Sequence, residues 1–203
     1  MKSTIANPSP HPRGSAGPAD YEHRSPRFAL RAATAEAHAR LDGMFSTFNL
    51  ANKSDYVAFL RAQAPAFLAV EAALDAAAAE RVIQGWESRR RSADLLSDLA
   101  TLAAPAPSPC PLPIFSTDAA VLGAAYVLEG SRLGGAMLVR AVGPGFPTAF
   151  LTPGNPADWR AFISLLDERL SSEASLADAV SAALVVFAMF EQCARSQSGA
   201  AQP

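Results

Sequence analysis

Residues Asp118 to Arg140 read DAAVLGAAYVLEGSRLGGAMLVR, a helical pattern that four glycines interrupt. A glycine inside a helix costs roughly 1 kcal/mol relative to alanine. At 100° per residue, Gly123, Gly130 and Gly134 fall within about 40° of one another, and Gly135 lies about a quarter-turn away. The stretch therefore predicts a helix with a strip of bare backbone along one side.

Two interpretations of this strip stay open. A second helix could pack closely against it, because glycines let two backbones touch. A planar ligand could instead lie across the helix. Glu129, Ser131 and Arg132 interrupt the apolar run where the strip is most open, and they favour a binding site over a dry seam between helices.

The composition of the chain bounds its class. It has 203 residues, a formal net charge of −2 and 50% hydrophobic residues. This predicts one domain with a sizeable core. Without a basic excess, neither a nucleic-acid partner nor an anionic membrane surface is expected. We interpret the run from Arg89 to Arg91 as a solvated helix face.

The N-terminal residues 1–25 are rich in proline, glycine, serine and charged side chains, and they predict a disordered arm. They contain no apolar signal region, and no later stretch of bilayer length is free of charge, so neither export nor a membrane span is expected. Cys110 and Cys193 match neither a disulfide framework nor a zinc pattern. A reducing cytoplasm fits this use of cysteine.

A first helix is predicted from Pro26, with Ser25 as its cap. Its apolar stripe consists of Leu30, Thr34, Ala37, Leu41 and Phe45. His38 falls in that stripe and is the one histidine of the predicted folded part. It could be a core imidazole bonded to a neighbour or a ligand to a bound group.

Four more helices are predicted after the first, in addition to the glycine-rich helix. They cover about 54–81 with a kink at Pro65, 86–103, 157–170 and 175–195. The expected buried side chains include Leu95, Leu96, Leu99, Leu102, Leu184, Phe187 and Phe190. No segment alternates with period two. We expect an all-α, single-domain bundle over 26–196 with a flexible tail at 197–203, and the first helix facing the glycine-rich helix across a cleft.

The residues that several common sites need are missing. The sequence has no phosphate-binding loop ending in Lys-Ser/Thr, no G-x-S-x-G, and no paired Cys or His at metal spacing. A di-iron carboxylate bundle would need more histidines than one. What remains is a single-histidine site. One imidazole opposite an open, glycine-lined face is what five-coordinate haem requires.

Two motifs carry a resemblance to a known family. LRAATAEAHARLD at 30–42 and YVLEGSRLGGAMLVR at 126–140 together resemble the haem oxygenase family, most closely its bacterial, bacteriophytochrome-associated branch. The similarity extends from about Arg27 to Arg195. It implies a haem-oxygenase-like bundle that holds haem between the first helix and a glycine-kinked distal helix, the helix over the open side of the iron.

The resemblance also implies roles for individual residues. His38 would be the iron ligand, while Gly130 and Gly134 would be the points where the distal helix bends over the haem. Arg31 could pair with a haem propionate, although an exposed arginine is an equal alternative. The side chains of Thr34 and Tyr126 could line the pocket or belong to the core.

The implied reaction opens haem to biliverdin, CO and ferrous iron, with haem as substrate and cofactor and O2 as oxidant. Electrons would come from a ferredoxin or flavodoxin reductase system, and a bacteriophytochrome could receive the product. We expect a cytoplasmic monomer without membrane or nucleic-acid partners.

One departure affects the expected activity. Many members of the family carry aspartate where this chain has Ser131, although serine is common in the phytochrome-linked branch. A serine hydroxyl can both donate and accept a hydrogen bond. The alternatives are a haem- or bilin-binding accessory protein without turnover, and a purely structural bundle in which His38 and the glycines serve packing.

Overall fold

A computed structural model describes residues 25–199. Its helices are α1 (Pro26–Phe45), α2 (Lys53–Ala76), α3 (Trp86–Arg89), α4 (Ser92–Thr101), α5 (Asp118–Leu138), α6 (Pro156–Arg169) and α7 (Glu173–Gly199), with 3₁₀ turns at Ala79–Arg81 and Val139–Ala141. The all-α prediction is confirmed, because every regular element in this range is a helix. The predicted arm, apart from Ser25, and the tail beyond Gly199 lie outside the described residues.

The last helix, α7, is the centre of the bundle. It packs against α1, α2 and α5, which surround it. Ala179 and Ala183 are fully buried along it, so the neighbouring helices can approach closely. A Cβ placed on Gly123 of α5 would lie 2.0 Å from the carbonyl oxygen of Ala179. Gly123 therefore forms a tight seam between α5 and α7.

Helix α2 supplies much of the core. Asn52 caps it by accepting hydrogen bonds from the backbone N–H groups of Ser54 and Asp55, so the helix begins at Lys53. It continues through Pro65 and ends at Ala76, five residues before the predicted end, after which Ala79–Arg81 forms a 3₁₀ turn. Tyr56, Leu60 and Phe67 are among its fully buried side chains.

The prediction of one continuous helix over 86–103 is wrong, because the chain forms two helices there. Arg90 has an extended backbone, with φ −67° and ψ 142°, and separates α3 from α4. The interpretation of the arginine run as a solvated face is also wrong, because Arg89 and Arg91 are buried and only Arg90 is exposed. Both buried guanidinium groups bind carbonyl or carboxylate oxygens elsewhere in the chain, which compensates for their desolvation.

Three smaller expectations also fail. Leu96 and Leu184 were expected to be buried, but they are 40% and 39% exposed, because each lies on the solvent-facing side of its helix. Ser25 occupies the N-cap position of α1 without capping it. Its hydroxyl bonds instead with the Asp167 carboxylate on α6.

Helices α2 and α7 are long and apolar enough to cross a membrane by length and composition. Most of the apolar stretch of α2 is buried inside the protein. Helix α7 is the helix on which α1, α2 and α5 pack. Core helices of soluble proteins have the same length and composition. Neither helix therefore indicates a membrane protein.

Candidate functional site

His38 lies beside the buried stripe of α1 and not within it. Leu30, Thr34 and Ala37 are buried as predicted, but the His38 side chain is 60% exposed. Its position inside the stripe was therefore wrongly predicted. The imidazole is largely exposed but contacts the buried ring of Phe187 on α7 in an edge arrangement, with the two ring centroids 5.9 Å apart.

The imidazole of His38 is oriented by a carboxylate one turn later. Its Nδ1 atom lies 2.9 Å from Oδ2 of Asp42. An imidazole that donates from Nδ1 carries its lone pair on Nε2. Histidines that bind metals commonly have such a carboxylate partner, which fixes the tautomer and the ring orientation. The pair leaves His38 competent to bind iron through Nε2.

Thr34 and Tyr126 connect α1 to α5. The Thr34 hydroxyl donates to the Leu30 carbonyl in its own helix at 2.8 Å, and the Thr34 side chain and the charge of Arg31 both act on the Tyr126 phenol to lower its pKa. Burial nevertheless raises the pKa of Tyr126, since burial is the larger effect. Three of the predicted binding residues are thus brought together at one contact between the two helices.

This contact also fixes where His38 and Gly130 lie. His38 follows Thr34 by one turn of α1, and Gly130 follows Tyr126 by one turn of α5. Each is therefore about 6 Å along its helix from the same contact. The first helix and the glycine-rich helix otherwise meet through α7, on which both of them pack.

The four glycines of α5 divide into two packed and two open positions. Besides Gly123 at the α7 seam, Gly135 is a packed position, because a Cβ placed on it would lie 3.4 Å from the Leu151 side chain. A Cβ on Gly130 or Gly134 would meet no atom within 4 Å. The helix-packing interpretation of the strip therefore holds at Gly123, whereas the backbone is open at Gly130 and Gly134.

Behind this open face, Arg91 binds the middle of α5. Its guanidinium donates to the carbonyl oxygen of Leu128 at 2.7 Å and to the hydroxyl of Ser131 at 2.6 Å. The Ser131 hydroxyl in turn donates to the Leu128 carbonyl. Burial, followed by the nearby charge of Arg132, lowers the pKa of Arg91 to about 10, so Arg91 stays charged at neutral pH.

Arg89 makes a second attachment to α5. It forms a buried ion pair with Glu129 at 3.0 Å and also donates to the Asp158 carbonyl on α6. Arg132 donates to the carbonyl of Arg89. The sequence favours a binding face at Glu129, Ser131 and Arg132, but the structure shows all three bound to the α3–α4 junction. Their contacts fix the helix that carries Gly130 and Gly134.

Arg89 and Arg91 were not predicted as residues of this region. Their partners on α5 lie about forty positions away in the chain. The available signal was the presence of charged residues inside two otherwise apolar helical patterns, Arg89 to Arg91 in one and Glu129 in the other. Buried charges need partners of opposite charge, so the arginines could have been paired with the glutamate.

A cavity of about 230 Å³ lies on another side of α5. Glu129, Arg132, Leu133 and Ala136 line it together with residues 153–156, Asp158 and Trp159. At 100° per residue, its face on α5 is turned roughly 130° from Gly130 and Gly134. The cavity is therefore separate from the face that the open glycines form.

Comparison with known proteins shows the family to which the chain belongs. A haem oxygenase from Xanthomonas campestris pv. campestris (strain 8004) is 39% identical over 121 residues, which are 56% of this chain and 73% of that protein. The chain belongs to the haem oxygenase family. No protein-family model matches the sequence.

The haem oxygenase fold is also found by structural comparison. The NO- and CO-bound haem oxygenase from Neisseria meningitidis superposes with a TM-score of 0.75 and 24% identity, covering 86% of this chain and 92% of that one. For a haem oxygenase, the substrate to be tested against the site is haem. The Nε2 atom of His38 and the open backbone at Gly130 and Gly134 fit an axial ligand and a close-approach face.

Proposed function

We propose that this chain is a haem oxygenase that opens haem to biliverdin, CO and ferrous iron with O2 and external electrons. The observation that carries the proposal is the placement of His38 and Gly130 within one turn of the Thr34–Tyr126 contact, in a member of this family. An oriented imidazole on one helix and bare backbone on a second helix that contacts it are what haem binding needs.

Within this proposal, each residue has a defined task. His38 holds the iron through Nε2, and Asp42 fixes the imidazole through Nδ1. Bare backbone at Gly130 and Gly134 admits the flat ring and directs peptide dipoles toward it. Arg31, which is exposed near Tyr126, pairs with a propionate, while Thr34 and Tyr126 line the pocket. The bound haem supplies the iron that activates O2.

Ser131 supports a second candidate function, a haem- or bilin-binding accessory protein without turnover. Its hydroxyl already accepts from Arg91 and donates to Leu128. A hydroxyl that is occupied in this way has less capacity to order a catalytic water than the aspartate found in many members of the family. In the haem oxygenase we propose, the activity tolerates this arrangement.

The remaining assignments follow from the same proposal. A ferredoxin or flavodoxin reductase system donates the electrons, and a bacteriophytochrome receives the biliverdin. The protein acts in the cytoplasm as a monomer, and residues 26–196 form its haem-binding domain.

The test is a hemin titration followed by turnover. Wild-type protein should give a Soret band, and this band should decline while a broad red band rises when a reductase system, O2 and catalase are added. His38→Ala should weaken hemin binding at least tenfold, because the axial ligand is lost. His23→Ala is the matched control and should leave binding unchanged, since the sequence predicts that His23 lies in the N-terminal arm and outside the haem-binding domain.

Each outcome separates the alternatives. A Soret band that persists during turnover would support the accessory protein and overturn the oxygenase. If hemin failed to bind, or bound equally well to His38→Ala, the glycines and His38 would serve packing alone.

A further inference from the structure

The cavity between α5 and α6 has mostly apolar walls. Leu133 and Ala136 line it on α5, Trp159 lines it on α6, and Pro153 and Pro156 line it between them. Its volume of about 230 Å³ is several times the roughly 30 Å³ that one water molecule occupies, so it has room for a single-ring molecule. Leu133 is 47% exposed, so the described residues leave this wall partly uncovered.

Arg132 supplies a positive charge at the wall of this cavity. A Cβ placed on Gly154 would lie 2.6 Å from the Cδ atom of Arg132 and 3.1 Å from its Nη1 atom, so glycine there leaves room for the side chain. The guanidinium donates through Nη2 to the carbonyl oxygen of Arg89. Within residues 25–199, no carboxylate forms an ion pair with Arg132. The guanidinium therefore keeps the capacity to bind an anion.

The two acidic residues at the cavity interact with other groups. Glu129 forms its ion pair with Arg89 at 3.0 Å. Asp158 lies in the first turn of α6, where the positive end of the helix stabilises a carboxylate. The charge of Arg132 instead acts on a second guanidinium, since it contributes, after burial, to the lowered pKa of Arg91. An anion beside Arg132 would therefore be favourable.

We propose that this cavity binds a small aromatic carboxylate, with its carboxylate on Arg132 and its ring against Leu133 and Trp159. The guanidinium supplies charge-assisted hydrogen bonds, and the apolar walls remove the ring from water. A cationic ligand would be repelled by Arg132, and a tetrapyrrole is too large for the volume. The site is independent of the proposed haem chemistry, because it lies on another side of α5 than Gly130 and Gly134.

A ligand in this cavity would connect α5 to α6. Both helices contribute walls, and the segment 153–155 between them contributes the rest. A ligand that binds only the folded chain stabilises it by mass action. Saturation of the site should therefore raise the melting temperature of the haem-free protein.

The test uses the full haem-free chain with benzoate as the probe and benzamide as its neutral counterpart of the same shape. Trp86 and Trp159 are the two tryptophans of the sequence, and Trp159 lines the cavity. Benzoate should therefore change the tryptophan fluorescence in a saturable way. Benzamide should bind about tenfold more weakly, because it has no charge for Arg132 to bind.

Two arginine variants test the role of the charge. Arg132→Gln should bind benzoate and benzamide with equal affinity, a change that a purely structural role of Arg132 would not produce. Arg160→Gln is the matched control, because Arg160 follows Trp159 on α6 and is exposed outside the cavity. It should keep the preference for benzoate.

A variant that fills the cavity tests its location. Ala136→Leu should abolish binding of both probes, while hemin binding stays unchanged because Ala136 faces away from Gly130 and Gly134. The proposal is overturned if benzoate gives no saturable change in the wild type, or if the wild type binds both probes equally. It is also overturned if benzoate binding survives unchanged in Arg132→Gln and Ala136→Leu. Hemin titration of the wild type tests the proposed haem chemistry separately.

Discussion

At the scale of single residues, the Asp42 carboxylate decides how well His38 can serve as an iron ligand. The two side chains are 60% and 67% exposed, so their 2.9 Å contact contributes little to folding. It contributes to ligand orientation, because removal of a carboxylate behind a metal-binding histidine commonly costs 10- to 100-fold in affinity.

We therefore expect Asp42→Asn to raise the hemin dissociation constant about tenfold with the melting temperature of the haem-free protein unchanged. A hemin titration followed at the Soret band measures this. Glu36→Gln is the matched control, because it removes one exposed negative charge from the same helix without touching His38. Equal weakening in both variants would assign the effect to general charge.

The neighbouring residues Arg89 and Arg90 allow a second comparison at this scale. Arg89→Ala would leave Glu129 buried without its partner, and should lower the free energy of unfolding by about 3–5 kcal/mol. Arg90→Ala removes only exposed ion pairs with Asp75 and Glu87, so its effect on unfolding should be much smaller. Urea unfolding curves of the two variants measure the difference.

The double variant Arg89→Met with Glu129→Gln should recover much of the stability lost in Arg89→Ala, since no unpaired charge remains buried. If Arg89→Ala and Arg90→Ala were equally stable, the buried ion pair would not support α5.

The sequence could show that these arginines were unusual, but not that they were buried. Their pattern continues that of an exposed helix, and their partners Glu129 and Leu128 are brought near by tertiary packing alone. His38 shows the same limit, because one step of 100° around α1 separates it from the buried Ala37. Residue type and spacing made His38 a candidate ligand, whereas its exposure and its contact with Asp42 could be seen only in the fold.

At the scale of the elements, most helices were predictable because local rules determine them. Proline at the first turn, an asparagine cap and apolar spacing define α1, α2 and α6 with small errors at their ends. The break between α3 and α4 was not predictable, because it depends on buried arginines. Helix α5 was predictable only in part. Its glycines predicted that another group approaches the helix backbone closely, but they did not show which group lies against each glycine.

The glycines of α5 permit a prediction in which stability and function change in opposite directions. Gly130→Ala and Gly134→Ala meet no neighbouring atom, so each should stabilise the haem-free protein by up to about 1 kcal/mol through higher helix propensity. Each should also weaken hemin binding or turnover, because the new methyl group occupies the face that the ring approaches. Chemical unfolding and hemin titration measure the two effects.

Gly123→Ala is the matched control on the same helix. Its methyl group would overlap the Ala179 backbone, so it should destabilise the protein by at least about 1–3 kcal/mol. If all three variants behaved alike, the distinction between the packed position Gly123 and the open positions Gly130 and Gly134 would be contradicted.

At the scale of the whole molecule, α7 joins the two sides of the proposed site. It packs on α1 and α5, contacts the His38 ring through Phe187, and binds Arg40 of α1 through Glu191 at 3.0 Å. Direct contact between α1 and α5 includes the approach of Thr34 to Tyr126. A ligand held between these two helices would add a connection that does not pass through α7.

Haem binding should therefore raise the melting temperature of the whole bundle. At a hemin concentration one hundred times the dissociation constant, linkage predicts about 2.7 kcal/mol, or roughly 5–10 °C for a protein of this size. Metal-free protoporphyrin can fill the glycine face but cannot bond to His38, so its shift should be clearly smaller at equal concentration. Differential scanning calorimetry of the full chain measures both.

In His38→Ala, the two porphyrins should give the same small shift, because the bond to iron is the interaction that distinguishes them. Equal shifts in the wild type would mean that the ring binds without axial ligation. A shift that stayed large for hemin in His38→Ala would place the iron ligand elsewhere in the chain. The comparison thus measures how much of the binding energy depends on His38 and how much on the face formed by Gly130 and Gly134.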